Sequence, residues 1–447
     1  MRCIIVNNRD KSRDNVAKEH WEMPRWTVRF DLNVELNRTE LVRLMAQAHA
    51  LSGVIRDIPI PPYLQEQLDT VNILRAVRGT TAIEGAKVSA TEVRQIMDSP
   101  KKRVLAPSRN REEKEVRNAQ NVMYYIASLV KEQPHHAVTE ALICEFHKRM
   151  TKDIRYENSA PGKYRSHAVE AGDYLPPESG DEVRRLMRKF VEWFMSPPAI
   201  NWDPIIRALA GHFYLISIHP FGDGNGRTSR ALESFVLYQG KVNVRGFYSL
   251  ANYYYQRRAE YVDQLNNVRF NGESNLTPFI MFGLKGLVEE LQYVHEQVVK
   301  EITAISFRDY ARDMFFTNGF IGTKPGARSF QFLMSLPVTP TPMDAMYSNP
   351  IYKGVGRRQV QRDIQFLRTH ELIVVDDSGL RPNLGLMIQF RGIEALESVL
   401  PEPPRKRKPS KRETETPATK EQTTSTTSVG PRPSSQLGLF SEDGRTP

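Results

Sequence analysis

The sequence predicts a mainly α-helical protein. Apolar residues recur at three- and four-residue steps through most of the chain from Leu36 onward, helix-starting and helix-stopping residues bracket those segments, and runs that alternate with a period of two are few. Residues 1–35 are mixed in character. LVRLMAQAHALSGVI then sets Leu41, Leu44, Met45, Ala48 and Leu51 on one stripe, and IPIPPYL breaks that helix with three prolines. Further helices are expected over 65–81, closing near Gly85, over 89–97 and over 112–130. AVTEALICEFHKRM reads as an amphipathic helix with Thr139 as N-cap. Residues 160–182 are rich in Gly and Pro without helical period and read as a hairpin or loop. EVRRLMRKFVEWFM is a helix again. DPIIRALAGHFYLISI opens with Asp203 as N-cap and Pro204 at the first helical position, and TSRALESFVLYQG closes on Gly240. Helices over 329–336, 343–347 and 357–371, followed by LIVVDDSGLRPN as strand, turn and strand, have the order of a winged helix-turn-helix. The expected organisation is a helical region at 1–110, a central domain at 111–300, a winged-helix-like domain at 315–400 and a disordered basic tail at 401–447.

Composition narrows the function classes. A chain of 447 residues with 40% hydrophobic residues suits two or three domains with real cores. The formal net charge of +10 and pI of about 9.4 admit a polyanionic partner, nucleic acid or nucleotide, and equally a solvated basic surface. Only Cys3 and Cys144 are present, far apart and outside any zinc-ligand spacing. Cys144 lies on an apolar helical pattern and is expected to be a buried thiol. No run approaches 18 apolar residues, so no membrane span is expected, and a cytoplasmic location is the default.

The chemistry concentrates in HPFGDGNGRTSR, residues 219–230. A helix ends near His219, and a loop with Gly222, Gly224 and Gly226 leads into the next helix. Glycines let backbone N–H groups converge, and a helix N-terminus favours negative charge. Arg227 and Arg230, three residues apart, share one face of the first turn and suit a polyphosphate. Asp223 is a hard oxygen ligand of the kind Mg²⁺ on phosphates requires. His219 is the group in the loop that takes up a proton near neutral pH. These are the parts of a nucleotidyl- or phosphoryl-transfer site. A plain Gly-rich turn, or half a calcium loop at Asp223-Gly224-Asn225-Gly226, remains the alternative on residues alone. The P-loop and dinucleotide patterns do not fit.

At all nine specified positions this stretch resembles the HPFx[D/E]GNGRxxR motif of the Fic family. The resemblance extends to the helix around His147, the loop PGKYRSHAVEAGDYLPP and YVDQL…NLTPFI. It implies an all-α Fic core with a β-hairpin flap over the active site, and a protein adenylyltransferase that moves AMP from ATP to a Ser, Thr or Tyr hydroxyl. By that resemblance His219 is the general base and Asp223 holds Mg²⁺ between the α- and β-phosphates. Gly224, Asn225 and Gly226 form the phosphate nest, Arg227 holds the β-phosphate and Arg230 the γ-phosphate, with Thr228 and Ser229 in the same ATP-binding stretch. Phe221 packs inward and positions the loop, Tyr261 matches a tyrosine near the adenine, and the flap at 163–176 binds target backbone as an added strand. Upstream, TTAIEGA contains Thr80 and Glu84-Gly85, resembling the family's [S/T]xxxE[G/N] inhibitory motif. It implies that Glu84 pairs with Arg230 and restrains the enzyme.

Competing readings are transfer of another nucleotide or phosphoryl group, removal of AMP with help from Glu84, and a DNA-associated regulator led by Arg357, Arg358, Arg362 and Arg368 on the third helix of the winged unit. That unit could instead dock on the core or recruit the target. A homodimer remains open. In the tail, Gln436, Leu437, Gly438, Leu439 and Phe440 resemble the QLxLF peptides that bind the bacterial sliding clamp, which makes the clamp a candidate partner.

Overall fold

Helix-start chemistry decides where most elements of this chain begin. The structure is a computed structural model that describes residues 27–30, 33–100, 102–157, 159–242, 250–270 and 275–390. Three prolines separate α1 (Thr39–Asp57) from α2 (Pro62–Ile83), the third of them sitting at the first position of α2. Ser89 and Glu92 form a reciprocal capping box that opens α3 (Ala90–Asp98). After α4 (Asn110–Glu132), Thr139 caps α5 (Glu140–Met150) and Ser179 caps α6 (Gly180–Phe194). Short α7 (Pro197–Ile200) leads to α8 (Pro204–Ile218), where the Asp203 carboxylate accepts from Ile205 N at 2.8 Å. α9 (Asn225–Gln239), α10 (Ala251–Gln256), α11 (Arg258–Phe270) and the 41-residue α12 (Thr277–Thr317) follow.

α8 is the axis of the fold. From Ile205 to Ile218 only Arg207 escapes full burial. α8 packs along α9, α4 and α5 pack on α9, α2 packs against α10 and α4, and α1 lies along α12. A single apolar core runs through these helices from Leu41 to Val298, so the helices before residue 110 and those after it bury a common interior. A second core gathers Phe307, Ala311 and Phe315 of α12 with Phe332, Leu333, Leu367 and Leu380 from α13 (Lys324–Ser335), α15 (Arg357–Thr369) and β2 (Gly379–Pro382). α14 (Met343–Tyr347) precedes α15, and β1 (Ile373–Asp376) pairs antiparallel with β2 in the register Ile373↔Pro382. Thr341, between α13 and α14, exchanges both backbone hydrogen bonds with Leu380 at 2.8 Å, a third short segment that the sequence pattern did not reveal.

Several expectations need correction. Among the described residues, 159–178 form no two-stranded ladder: the backbone bonds within the segment are those of Lys163 N to Ala160 O and Ala171 N to Tyr174 O, and Ser159 and Leu175 hold isolated bridge positions. Its backbone and side chains bond instead to the core, and left-handed Gly162 and Gly172 with the Pro176-Pro177 pair suit turns rather than a ladder. α13 starts five residues before 329, because Thr323 caps it by accepting from Gly326 N. α15 stops at Thr369 as Glu371 turns left-handed. Cys144 is only half-buried. The tail beyond residue 390, including Gln436 to Phe440, lies outside the described residues.

Candidate active site

The loop after α8 is built around a non-glycine residue in the left-handed region. His219 closes α8 with φ +52. Such a backbone costs about 1 kcal/mol for a residue with a Cβ, so it persists only where neighbours hold it. Arg165 supplies the hold. Its backbone N donates to Pro220 O (2.9 Å), and its guanidinium donates to His219 O (2.7 Å), His167 O (2.7 Å) and Pro177 O (2.6 Å). One buried arginine therefore ties the 160–178 loop to the histidine. On the His219 ring, Nδ1 faces Ile216 O at 3.2 Å, which puts the proton on Nδ1 and a lone pair on Nε2. Burial, with Arg165 and Arg269 nearby, pushes the imidazole down to about 3, so the ring is neutral at physiological pH.

Asn225 shapes the next turn. Its side-chain oxygen accepts from Phe221 N and its amide donates to Phe221 O, both at 2.8 Å. Phe221 is fully buried and stacks on His147 with ring centroids 3.8 Å apart. His147 in turn donates from Nε2 to Asp223 O (2.9 Å) and accepts at Nδ1 from Gly162 N (2.9 Å). Gly224, at φ +78, swings the chain into α9. Because Thr228 N bonds back to Gly224 O, the amides of Asn225, Gly226 and Arg227 are the ones with no carbonyl a turn behind them. These three form the exposed end of the helix dipole. The Thr228 and Ser229 hydroxyls point elsewhere: they bond back to Gly224 O (2.8 Å) and Asn225 O (3.0 Å) and are fully buried, so their side chains do not face the loop.

Two arginines, each about 1% exposed, flank this nest. Arg227 lies 3.2 Å from Asp223 and 3.6 Å from Glu115, and its Nε and Nη1 have no hydrogen-bond acceptor. Arg230 donates from Nε to Thr80 Oγ1 (2.9 Å) and from Nη2 to Thr80 O (3.2 Å) and Glu84 (2.7 Å), leaving Nη1 without an acceptor. Buried guanidinium donors without partners are costly and mark a place built for an oxyanion. The Glu84 carboxylate reaches into that place: its Oε1 lies where a Cβ on Gly226 would stand, directly against the nest. Burial alone would raise this carboxyl; the cations around it, Arg230 and Arg227 among them, outweigh burial and hold it below the usual carboxylate range.

Asp223 sits at the mouth, accepting from Gly224 N (2.5 Å), with Arg111 at 3.8 Å on its other oxygen. A polar cleft of about 220 Å³, lined by Glu84, Arg109, Arg111, Glu115, Asp223 and Arg227, opens from it. On the far side of Glu84 the space narrows to about 30 Å³ between Ile83, Ile216, His219, Tyr261 and Val262, room for one water. Tyr261 lines that gap, and its hydroxyl is engaged with His212 Nε2 (2.8 Å), which bonds on to Glu233 (2.5 Å). The cleft is thus nearly closed on the Tyr261 side of Glu84 and open on the Asp223 side.

The structure therefore brings His219, Asp223, Gly224, Asn225, Gly226, Arg227 and Arg230 together with Thr80 and Glu84, and places Tyr261 at the edge. Arg165, His147, Glu115 and Arg111 had no assigned role in the sequence reading. His147 left one signal there, a polar residue on the Ile143, Phe146, Met150 stripe. Arg165 left none.

Residues 137–237 match the family model described as Fic/DOC. Over 205 residues, 45% of this chain and 38% of the relative, the sequence is 31% identical to the protein adenylyltransferase Fic of Aedes aegypti. It is 28% identical over 240 residues to the protein of the same name in Drosophila melanogaster, covering 53% and 43%. The chain thus spans about two fifths of the length of these curated relatives. Among solved structures, a Fic family protein from Desulfovibrio desulfuricans is similar with a TM-score of 0.48 and 21% identity, over 75% of this chain and 91% of that one.

Proposed function

We propose that the Fic/DOC domain at residues 137–237 makes this chain a protein adenylyltransferase, held in check by its own Glu84. The observation that carries the reading is the helix N-terminus of α9 with Arg227 and Arg230 beside it, two buried arginines with unsatisfied donors next to the first-turn amides of Asn225, Gly226 and Arg227. That arrangement suits the oxyanions of a polyphosphate. His219, neutral and tautomerically set by Ile216 O, takes the proton of a target Ser, Thr or Tyr hydroxyl on Nε2 as the oxygen bonds to the α-phosphorus. The α–β phosphoanhydride bond breaks and pyrophosphate leaves. The negative charge of the triphosphate offsets Arg165 and Arg269, which raises the His219 pKa toward a useful range.

Mg²⁺ fits the donor set. Of the carboxylates lining the cleft, Glu84, Glu112 and Glu115 pair with Arg230, Arg109 and Arg111, and Asp223 stands at the mouth; no cluster of three acidic, His or Cys ligands occurs among the described residues, so the ligands besides Asp223 would be phosphate oxygens and water, as this ion prefers. Bound there, the ion would neutralise phosphate charge. Arg227 and Arg230 hold the β- and γ-phosphates, and the 160–178 loop carries the target segment beside His219. Glu84 occupies Arg230 and the nest, so a triphosphate meets a carboxylate at its γ-end.

The C-terminal unit is read as a winged helix: α13, the Thr341 segment, α14, α15 and the β1–β2 hairpin follow one another in that fold's order.

The test is incubation of the purified protein with ATP labelled at the α-phosphate, or with label at the γ-phosphate, and a cell extract. Label should enter protein only from the α position, and His219→Ala should reduce it by about 10²–10⁴-fold while ATP binding persists. Incorporation from the γ-phosphate that exceeds the extract alone and is lost in His219→Ala would sink the reading in favour of phosphoryl transfer.

A further inference from the structure

We propose that α15 is a double-stranded-DNA-reading helix. This is an interaction surface independent of the nucleotide cleft, and it rests on the winged-helix reading of the unit that carries it. The helix buries Val360, Asp363, Ile364 and Leu367. Its outward side presents Arg357, Arg358, Gln361, Arg362, Gln365 and Arg368, all exposed. Arg358 and Arg362 form one row at four-residue spacing, and Gln361 and Gln365 the row beside it. No acidic residue lies on that side. The one carboxylate of the helix, Asp363, is turned inward, where Arg328 grips it at 2.6 and 3.1 Å and Gln359 donates to it at 2.9 Å. Among the described residues no carboxylate comes within ion-pair distance of Arg358, Arg362 or Arg368.

Folding does not account for this pattern. Arg357 and Arg358 occupy the first turn, where cations oppose the helix dipole, and no acidic residue offsets them. The N-cap is Gly356, which has no side chain to satisfy the leading amides. A helix that spends stability on a positive, uncapped N-terminus is shaped for an anion outside itself. The choice of anion follows from the side chains. Arg and Gln are the planar donors that match the major-groove edges of guanine and adenine, and a helix of 13 residues, roughly 20 Å, fits a groove about 12 Å wide. The hairpin tip behaves differently: Asp376, paired with Arg381 at 2.7 Å, and exposed Asp377 would repel phosphate, so contact falls to α15 and not to the wing.

The experiment is fluorescence anisotropy of the full chain with a labelled 20-base-pair duplex at 50 and 200 mM salt, competed with unlabelled duplex or poly-glutamate. Binding is expected to weaken roughly 100-fold between the two salt concentrations if about four phosphates are engaged. Arg358→Ala/Arg362→Ala should weaken it at least tenfold, and Asp377→Asn should leave it equal or tighter. Circular dichroism of the double variant should match the parent, since both side chains are exposed. Absence of binding at 50 mM salt overturns the proposal. So does equal binding by the double variant, which would place contact elsewhere, in the basic run at 405–412 for instance. Poly-glutamate competing as well as duplex, charge for charge, would reassign the face to an acidic protein.

Discussion

Glu84 and Arg230 stand 146 positions apart in sequence and 2.7 Å apart in space. The pair is nearly buried and adds the Thr80 hydroxyl as a second acceptor, so Arg230 is held by one helix end before any nucleotide arrives. On the proposed reading, a carboxylate that occupies the guanidinium and lies against the position a Cβ on Gly226 would take competes with a γ-phosphate for the same donors. Removing it leaves those donors open to ATP. Glu84→Gly is therefore expected to raise self-labelling and target labelling by at least tenfold at matched ATP and Mg²⁺, measured by α-phosphate incorporation. Equal labelling by the variant and its parent would leave the ion pair a merely structural contact. The T-x-x-x-E spacing was legible in the sequence, but on its own it is a common helix pair; only its contact with Arg230 separates it from the ordinary case.

Elements meet at His147. It sits on α5, receives an N–H from Gly162 at the start of the 160–178 loop, donates to Asp223 O in the anion loop and stacks on Phe221. One imidazole thus couples three segments, and burial pushes it down to about 4, so it remains neutral and both bonds persist at physiological pH. His147→Phe keeps a ring against Phe221 and deletes both hydrogen bonds, leaving the half-buried Asp223 carbonyl and Gly162 amide without this partner. The expected cost is about 1–3 kcal/mol of unfolding free energy in urea titration, with a loss of transfer larger than the loss of ATP binding because the loop beside His219 slackens. Stability and transfer equal to the parent would show that the ring only fills space. The helices themselves were largely readable, since Thr139, Asp203 and the prolines carry local information. The sequence left the 160–178 segment open between hairpin and loop because its anchor, Arg165, bonds to carbonyls, among them His219 O and Pro220 O, and carbonyls carry no side-chain signature.

At the scale of the molecule, the neutral buried histidines tie stability to pH. His147 and His219 have folded-state values near 4 and 3, below the unfolded value of about 6.5. Between those limits the unfolded chain binds protons that the folded chain refuses, so stability is full above about pH 6.5 and falls as pH drops toward 4. Asp223 and Glu290, raised by burial, act in the opposite sense. The two histidines alone should lower the unfolding free energy by roughly 2–4 kcal/mol from pH 7 to pH 5. His147→Phe should flatten that slope by about half in denaturant titrations, and an unchanged slope would mean that other groups govern it. The whole also contains no helix, among the described residues, long and apolar enough to cross a membrane.

What the sequence by itself determined is local: the helical periodicity, the caps, the glycines of residues 219–230 and the residue types that an anion site needs. These follow from interactions within one or two turns, and a reader of the chain meets them in order. What only the tertiary structure decided is who faces whom. α8 and α9, buried on nearly every side, convert a Gly-rich turn into a water-poor pocket in which unpaired guanidinium donors matter. The return of α2 across the core sets Glu84 against the nest and narrows the space beside Tyr261 to about 30 Å³. Thr228 and Ser229, expected at the nucleotide, turn their hydroxyls back to their own helix. Long-range packing chose these partners, because the free energy of burying an apolar face is indifferent to sequence separation, while the polar groups carried with that face must then find whatever acceptor it brings near.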